Sequence, residues 1–315
     1  MNSKEFLYSI IRLWRYLNIY FLKPFDAVND ALTSTILHKL NWTDEYVEIG
    51  SGDGMFSFIM HGGTFPLSFD RYLLADTKLN EDIYDHHKEN ILSVNTMPSK
   101  PKLTQCLDAK LSHIKKVKEI DYAENASVIS YEKLPIPDNS INSIFCYTPH
   151  GLKDHRDSIR EISRVLVRNG SLIILVYNDE FKRDFICYRI GKRFHNKFGQ
   201  YFENLDAGRY KEITAMSRSN SEWELLFKEC DLTIEQVQSG LSGFAWGIYD
   251  IQTRPILKPL INIFGRLPIN IRTTLKLIWM IILYPLLFLF YLFASNRFFK
   301  LGQYDCYMAY QLKKM

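Results

Sequence analysis

Three glycines at alternate positions, Gly50, Gly52 and Gly54, follow an acidic residue, Glu48, in YVEIGSGDGMF. Glycines let a backbone turn closely beneath a ligand. The question is which ligand this loop suits. A dinucleotide loop needs G-x-G-x-x-G, and here a methionine, Met55, stands where the last glycine belongs. A Walker-type phosphate loop is excluded as well, because no G-K-[ST] follows. What remains is a strand ending near Glu48, a tight turn and a helix beginning near Met55. An acidic residue just before such a turn can engage a cationic group and its water shell, so the loop suits a ligand without a pyrophosphate.

The elements that must hold this loop are legible in the hydrophobic periodicity. Of the 315 residues, 47% are hydrophobic and 23% charged, enough for one good-sized core and an accessory element. From residue 5 to about residue 40 apolar residues recur every three to four positions, with Pro24 dividing two helices. These helices either cap the core only or also lie on a membrane or over the substrate. Residues 46–49, 72–75, 127–130 and 143–147 read as strands. Residues 155–167 read as an amphipathic helix ended by Asn169-Gly170 as a left-handed stop, and residues 171–177 as a further strand. That alternation predicts a doubly wound parallel sheet, with ligands at the carboxyl ends of its strands. A helix from about Ser221 leads to a penultimate strand at 232–238, and residues 304–312 read as the last strand. Arg209, Tyr210 and Trp246 are candidates for an acceptor site or for plain packing. The five cysteines are widely spaced, without C-x-x-C pairs, which predicts reduced thiols and no structural metal.

The motif Glu48-Ile49-Gly50-Ser51-Gly52-Asp53-Gly54 resembles the first motif of class I S-adenosylmethionine-dependent methyltransferases. A second block, 134–178, is similar to the stretch from the fourth to the fifth strand of those enzymes. Its LPIPDNS and EISRVL pieces match in order and spacing. The resemblance covers residues 46–178. It implies a Rossmann-like, seven-stranded methyltransferase sheet with N-terminal helices and a hydrophobic helical insertion before the last strand. S-adenosylmethionine would be the cofactor. Gly50, Ser51, Gly52 and Gly54 would pass beneath its amino-acid part, with Glu48 near the ammonium group. Asp76, with Asp108 as its rival, would take the ribose hydroxyls. Ser130, Tyr131 and Glu132 would lie beside the adenine, and Tyr147 and Thr148 would face the methyl group. Methyl transfer needs an aligned nucleophile and, for a hydroxyl, a base. His150 and His155 stand near the position where the family often carries a Glu-His pair, and either is a candidate base or an ordinary loop or helix-cap residue.

The accessory element differs in kind from the rest. Between residues 251 and 304 there are seven cations and no Asp or Glu, so the remainder of this +4 chain is net negative. Those cations are interleaved with Leu, Ile, Phe and Trp, which fits an anionic membrane surface better than nucleic acid. Residues 277–296 are twenty uncharged residues, long enough to cross a bilayer. A single crossing would separate the last strand from its sheet, so a bent, re-entrant or in-plane element at Pro285 is expected instead. The division is thus 1–45 cap helices, 46–254 methyltransferase core, 255–303 membrane-associating insertion and 304–315 last strand. No secretory signal is recognisable at the N-terminus. Together these features predict a peripheral or monotopic enzyme at the cytoplasmic membrane face, acting on an amphiphilic acceptor. A lipid-linked saccharide or cell-surface polysaccharide intermediate comes first, because residues 209–247 resemble bacterial methyltransferases acting on such glycans. A quinone or prenylated small molecule, or a non-catalytic binding protein of the same fold, are the alternatives.

Overall fold

The computed structural model describes residues 3–71, 93–147, 155–240, 243–251, 257–295 and 306–315. Two helices open the chain, α1 (Ser3–Ile19) and α2 (Pro24–Leu37). Pro24 starts α2, where its missing N–H leaves no bond unmade. There follow β1 (Glu45–Ile49), α3 (Met55–Met60), β2 (Lys102–Asp108), α4 (Leu111–Ile120), β3 (Asn125–Val128), β4 (Ile141–Tyr147), α5 (His155–Val165) and β5 (Leu166–Tyr177). The helices α6 (Ile186–Arg193) and α7 (Lys197–Met216) pack on each other. After them come α8 (Asn220–Glu229), β6 (Leu232–Ser239), α9 (Gly243–Ile251), α10 (Leu257–Gly265), α11 (Ile269–Ser295) and β7 (Tyr307–Lys314).

The seven strands form one sheet in the order β3-β2-β1-β4-β5-β7-β6. Strands β1 to β5 pair in parallel, whereas β7 runs antiparallel to both β5 and β6. The order reverses between β1 and β4, which places a crevice at their carboxyl ends. Side chains alternate across the sheet. Tyr46, Cys106, Phe145 and Leu175 face a first core closed by α1, α2, α3 and α11, while Val47, Leu107, Ile144 and Ile174 face a second closed by α5 and α8. A reciprocal cap fixes the start of α8: the Ser219 hydroxyl accepts from the Glu222 N–H and the Glu222 carboxylate accepts from the Ser219 N–H.

Three expectations change. The strand paired with β1 on its outer side is β2, whereas residues 72–75 lie outside the described residues. Asn169 does take a left-handed φ of 64°, but inside β5 and not at a helix stop. Gly170 follows it because a Cβ there would stand 2.8 Å from the Val167 carbonyl and 3.2 Å from that of Asn142. Finally, α11 stays helical through Pro285. The carbonyl that Pro285 cannot serve belongs to Ile281, which lies on the exposed side of the helix.

The long helix is not a free rod. It runs antiparallel to α1: Trp279 Nε1 donates to the Phe21 carbonyl, Tyr284 Oη to the Ile10 carbonyl and Tyr291 Oη to Ser9 Oγ, and Phe288 meets Phe6 edge to face. Near its start Arg272 pairs with Asp70 at 3.7 Å, and Lys276 donates to the Phe69 carbonyl. Since β6 and β7 are neighbours, the insertion leaves and re-enters the same sheet. At 27 residues, or about 40 Å, α11 is long enough to span a bilayer. Its packing along α1 and α2 holds one side of it on the domain.

Candidate cofactor and acceptor site

The glycine loop leaves β1 and turns over the carboxyl end of β2. Gly50, Gly52 and Gly54 have φ of 75°, 57° and 74°, a region that side chains rarely adopt, and this explains the alternate spacing. Gly50 N donates to the Leu107 carbonyl (2.8 Å), as does Ser51 N (3.4 Å), and Gly52 N donates to Asp108 Oδ2 (2.9 Å). The other Asp108 oxygen meets Lys110 N (2.9 Å) and His113 Nδ1 (3.1 Å). A Cβ on Gly54 would stand 3.0 Å from Val117, so α3 is drawn close to α4 there. A Cβ on Gly52 would meet nothing within 4 Å. The loop therefore presents its backbone to open space at Gly52.

Glu48 lies beneath the loop, 1% exposed, with Oε1 accepting from Ser57 Oγ at 2.6 Å. Its Oε2 is buried without a hydrogen-bond partner among the described residues. Burial pushes its pKa up to about 8 against the Ser57 hydrogen bond, and the Asp108 carboxylate adds to the rise. A buried acceptor left unmatched at the foot of a glycine loop suits a ligand carrying a cation, which is the fit that S-adenosylmethionine requires.

The loop is also tied to the cap helices, a link that sequence reasoning missed. Asp53 Oδ2 pairs with Arg71 Nη2 at 2.6 Å. The Arg71 guanidinium lies 4.8 Å from the centre of the Tyr20 ring and donates to its hydroxyl. Burial pushes the Asp53 carboxyl up, but Arg71, Lys116 and His113 outweigh it, and it stays below the usual range. Asp30 of α2, in the field of the same arginine, is pushed up to about 7, chiefly by burial. On α1, Tyr16 Oη donates to the Phe56 carbonyl (3.0 Å) and its ring stacks on Phe56, which in turn meets Tyr147 at 4.6 Å. Phe56 and Tyr147 thus form an aromatic wall beside the loop. The Asp53–Arg71 link has no signal at short spacing, because its partners lie 18 positions apart.

The remaining predicted residues divide. Tyr131 is buried, and its hydroxyl would be 3.6 Å from a Cβ on Gly50, so it abuts the loop. Ser130 and Glu132 are exposed in the turn that follows β3, where Ser130 bridges to Lys133. Asp76, Thr148 and His150 lie outside the described residues. His155 is a correction: it is 4% exposed and packs 5.3 Å from Trp223, in the core on the opposite face from Phe56 and Tyr147. Tyr210 stacks on Tyr188 at 3.8 Å, and Trp246 is buried among Tyr177, Phe181 and Phe185, so both are packing residues. The matched 134–178 block also has a structural reason. Arg164 holds Glu161 (2.6 and 2.8 Å) and Asp138 and donates to the carbonyls of Ile136 (3.0 Å) and Leu134 (3.2 Å). Glu161 Oε1 accepts from Leu134 N at 2.9 Å, so α5 clamps the turn that precedes β4.

A family model described as a methyltransferase domain matches residues 101–174, from the start of β2 into β5. With the strand order, the antiparallel β7 and the glycine loop at the switch point, this match supports a methyltransferase domain of Rossmann-like fold. The enzyme's cofactor is S-adenosylmethionine. No curated protein matches the chain in sequence. Similar solved structures include an S-adenosylmethionine-dependent methyltransferase from Thermotoga maritima, described as a possible histamine N-methyltransferase (10% identity, 94% of this chain, 93% of that one, TM-score 0.47). Others are a geranyl diphosphate methyltransferase in complex with S-adenosylmethionine (11%, 91% and 85%, 0.43) and a methyltransferase from Aquifex aeolicus (14%, 61% and 74%, 0.35).

Proposed function

We propose that this methyltransferase acts on an amphiphilic acceptor at the cytoplasmic face of a membrane, with a lipid-linked saccharide or polysaccharide intermediate as the leading class. The observation that supports this most is the set of large apolar side chains exposed near the start of α1 and along the outer side of α11. Phe6, Leu7, Tyr8, Ile278, Ile281, Ile282, Leu286 and Leu289 are all exposed there, although α11 is packed along its other side. Soluble surfaces rarely gather so many large apolar side chains. A helix that lies on its own domain with one apolar face outward suits in-plane attachment better than a crossing.

Bound S-adenosylmethionine supplies a methyl group already activated on a sulfonium. The protein's task is to hold, orient and exclude water. Gly50, Ser51, Gly52 and Gly54 would cradle the cofactor's amino-acid part, and Glu48 Oε2 would meet its cationic end. Asp108, at the carboxyl end of the strand beside β1, would take the ribose hydroxyls. Ser130, Tyr131 and Glu132 would flank the adenine. Phe56 and Tyr147 would wall the acceptor side and keep water from the reacting carbon.

The test is to incubate the full-length protein with methyl-labelled S-adenosylmethionine and a cytoplasmic membrane fraction, then extract with organic solvent. Label in a lipid-extractable product, identified by mass spectrometry, is the expected result. Label confined to water-soluble products would overturn the acceptor assignment while leaving the methyltransferase intact.

A further inference from the structure

A groove of about 620 Å³ lies between α1, residues 59–67 and α11. Ile10, Ile11, Trp14, Phe65, Leu277 and Tyr284 make most of its walls. Three polar residues break that lining, Thr64, Arg15 and Asn18, the last two being three residues apart and hence on one face of α1. Arg15 is half-buried beside Gly62 and has no carboxylate partner among the described residues. Asn18 is 7% exposed; its amide N–H groups donate to the carbonyls of Phe65 (3.1 Å) and Pro66 (3.3 Å). Those two bonds fix the amide orientation and leave Asn18 Oδ1 buried with no partner.

A cation and an unmatched acceptor at one place, in a groove otherwise lined mainly by apolar residues, describe an amphiphile's binding site. The groove is not the cofactor crevice. Tyr16 and Tyr20 reach from another side of α1 to Phe56 and Arg71. Its walls do continue into the exposed apolar surface: Ile11 joins Leu7 and Tyr8, and Leu277 adjoins Ile278 and Ile281.

We propose that this groove binds one acyl chain of an anionic membrane phospholipid, with the lipid phosphate on Arg15 and a headgroup hydroxyl donating to Asn18 Oδ1. The inference rests on the membrane-facing assignment of α1 and α11, and it adds a specific, stoichiometric lipid to a general surface. A phosphate on arginine is a charge-assisted contact, and an acyl chain fills the apolar length without leaving polar groups unmatched.

The test uses full-length protein in a mild non-ionic detergent, with native mass spectrometry after addition of phosphatidylglycerol or of phosphatidylcholine of the same chain length. One phosphatidylglycerol should be retained per chain, held at least about tenfold more tightly than phosphatidylcholine. Arg15→Gln should reduce phosphatidylglycerol to the phosphatidylcholine level, and Arg15→Lys should restore part of the difference. Leu277→Trp, which fills the groove, should lower retention of both, and S-adenosylmethionine affinity should be unchanged in all three variants. Inorganic phosphate at the same concentration should not displace the lipid; if it does, the site recognises phosphate and not an amphiphile. Flotation with phosphatidylglycerol vesicles separates the two levels of the account. A protein that floats, yet whose Arg15→Gln and Leu277→Trp variants hold lipid like the parent, refutes the groove and keeps the membrane face. One that neither floats nor retains lipid removes both.

Discussion

The carboxyl edge of the sheet and the outer face of α1 and α11 are built on opposite rules. At the sheet edge every strained glycine is tied by a backbone hydrogen bond or a close packing contact: Gly50 and Gly52 to the end of β2, Gly54 to Val117. Apart from the unmatched Glu48 Oε2, the carboxylates there are paired, and Asp53, Arg71 and Tyr20 link the loop to the end of α1. Along α11, the polar bonds to other elements lie on the packed side, and the outer side carries Ile282 and Leu286 at 64% and 63% exposure. The first region gains its specificity from preorganised backbone; the second has area and almost no direction. One is suited to hold a small charged molecule in a single pose, the other to rest on a fluid surface.

The contrast is broken most severely at Gly52. Its φ of 57° and the open space above it mean that Gly52→Arg projects a large cation where a ligand would lie. Titration calorimetry should show S-adenosylmethionine affinity falling by about a hundredfold or more, from steric exclusion and from about 1–2 kcal/mol of backbone strain. Next comes Arg164→Ala, which removes bonds to Glu161, Asp138 and two carbonyls. We expect about 1–3 kcal/mol of lost stability in urea denaturation, since the part-buried carbonyls of Ile136 and Leu134 and the Glu161 carboxylate lose a charged partner. On the other region, Leu286→Asp should leave stability within about 0.5 kcal/mol and cofactor affinity unchanged, yet lower vesicle flotation about tenfold.

The smallest effect is in pH. Glu48, at about 8, and Asp30, at about 7, hold protons in the folded chain that the unfolded chain releases near its ordinary carboxylate values of 4.5 and 3.8. Below about pH 6.5 that excess is cancelled by His38 and His61, which burial holds down to about 4 and about 3, and above about pH 7.5 it is offset by Lys276, lowered to about 7. The melting temperature of the cofactor-free protein should therefore fall as pH rises between about 6.5 and 7.5. Glu48→Gln and Asp30→Asn should each flatten that slope. A cation bound beside Glu48 favours its ionised form, so cofactor binding near pH 7 should release protons, detectable as a buffer-dependent heat.

What was legible in the chain follows the same division. The glycine loop, β4, α5, β6 and the antiparallel last strand stand out because their signals are local: glycine spacing, a period of 3.6 or an apolar run. Strand β2 did not stand out. KLTQCLD carries only Leu103, Cys106 and Leu107 as buried apolar residues, and pairing with β1, set by residues more than fifty positions away, decides it. Asp108 therefore ranked below Asp76, which lies outside the described residues. Asn169 kept its left-handed conformation but changed its meaning, since the carbonyls of Val167 and of the distant Asn142 together show why Gly170 follows. His155 looked reactive by type, and Trp223, almost seventy positions on, makes it a core residue. Pro285 does not end α11, because the carbonyl it leaves unmatched, that of Ile281, lies on an exposed side where water can serve it.

The central claim is that methyl transfer needs both regions, one for the cofactor and one for the membrane. Its most direct test compares the parent with Leu286→Asp in a single preparation, measuring S-adenosylmethionine affinity and the initial rate of label transfer into membrane lipid. The account predicts equal affinity and a transfer rate that falls with vesicle binding. Transfer to a membrane acceptor that stays at the parent rate after vesicle binding is lost would contradict it.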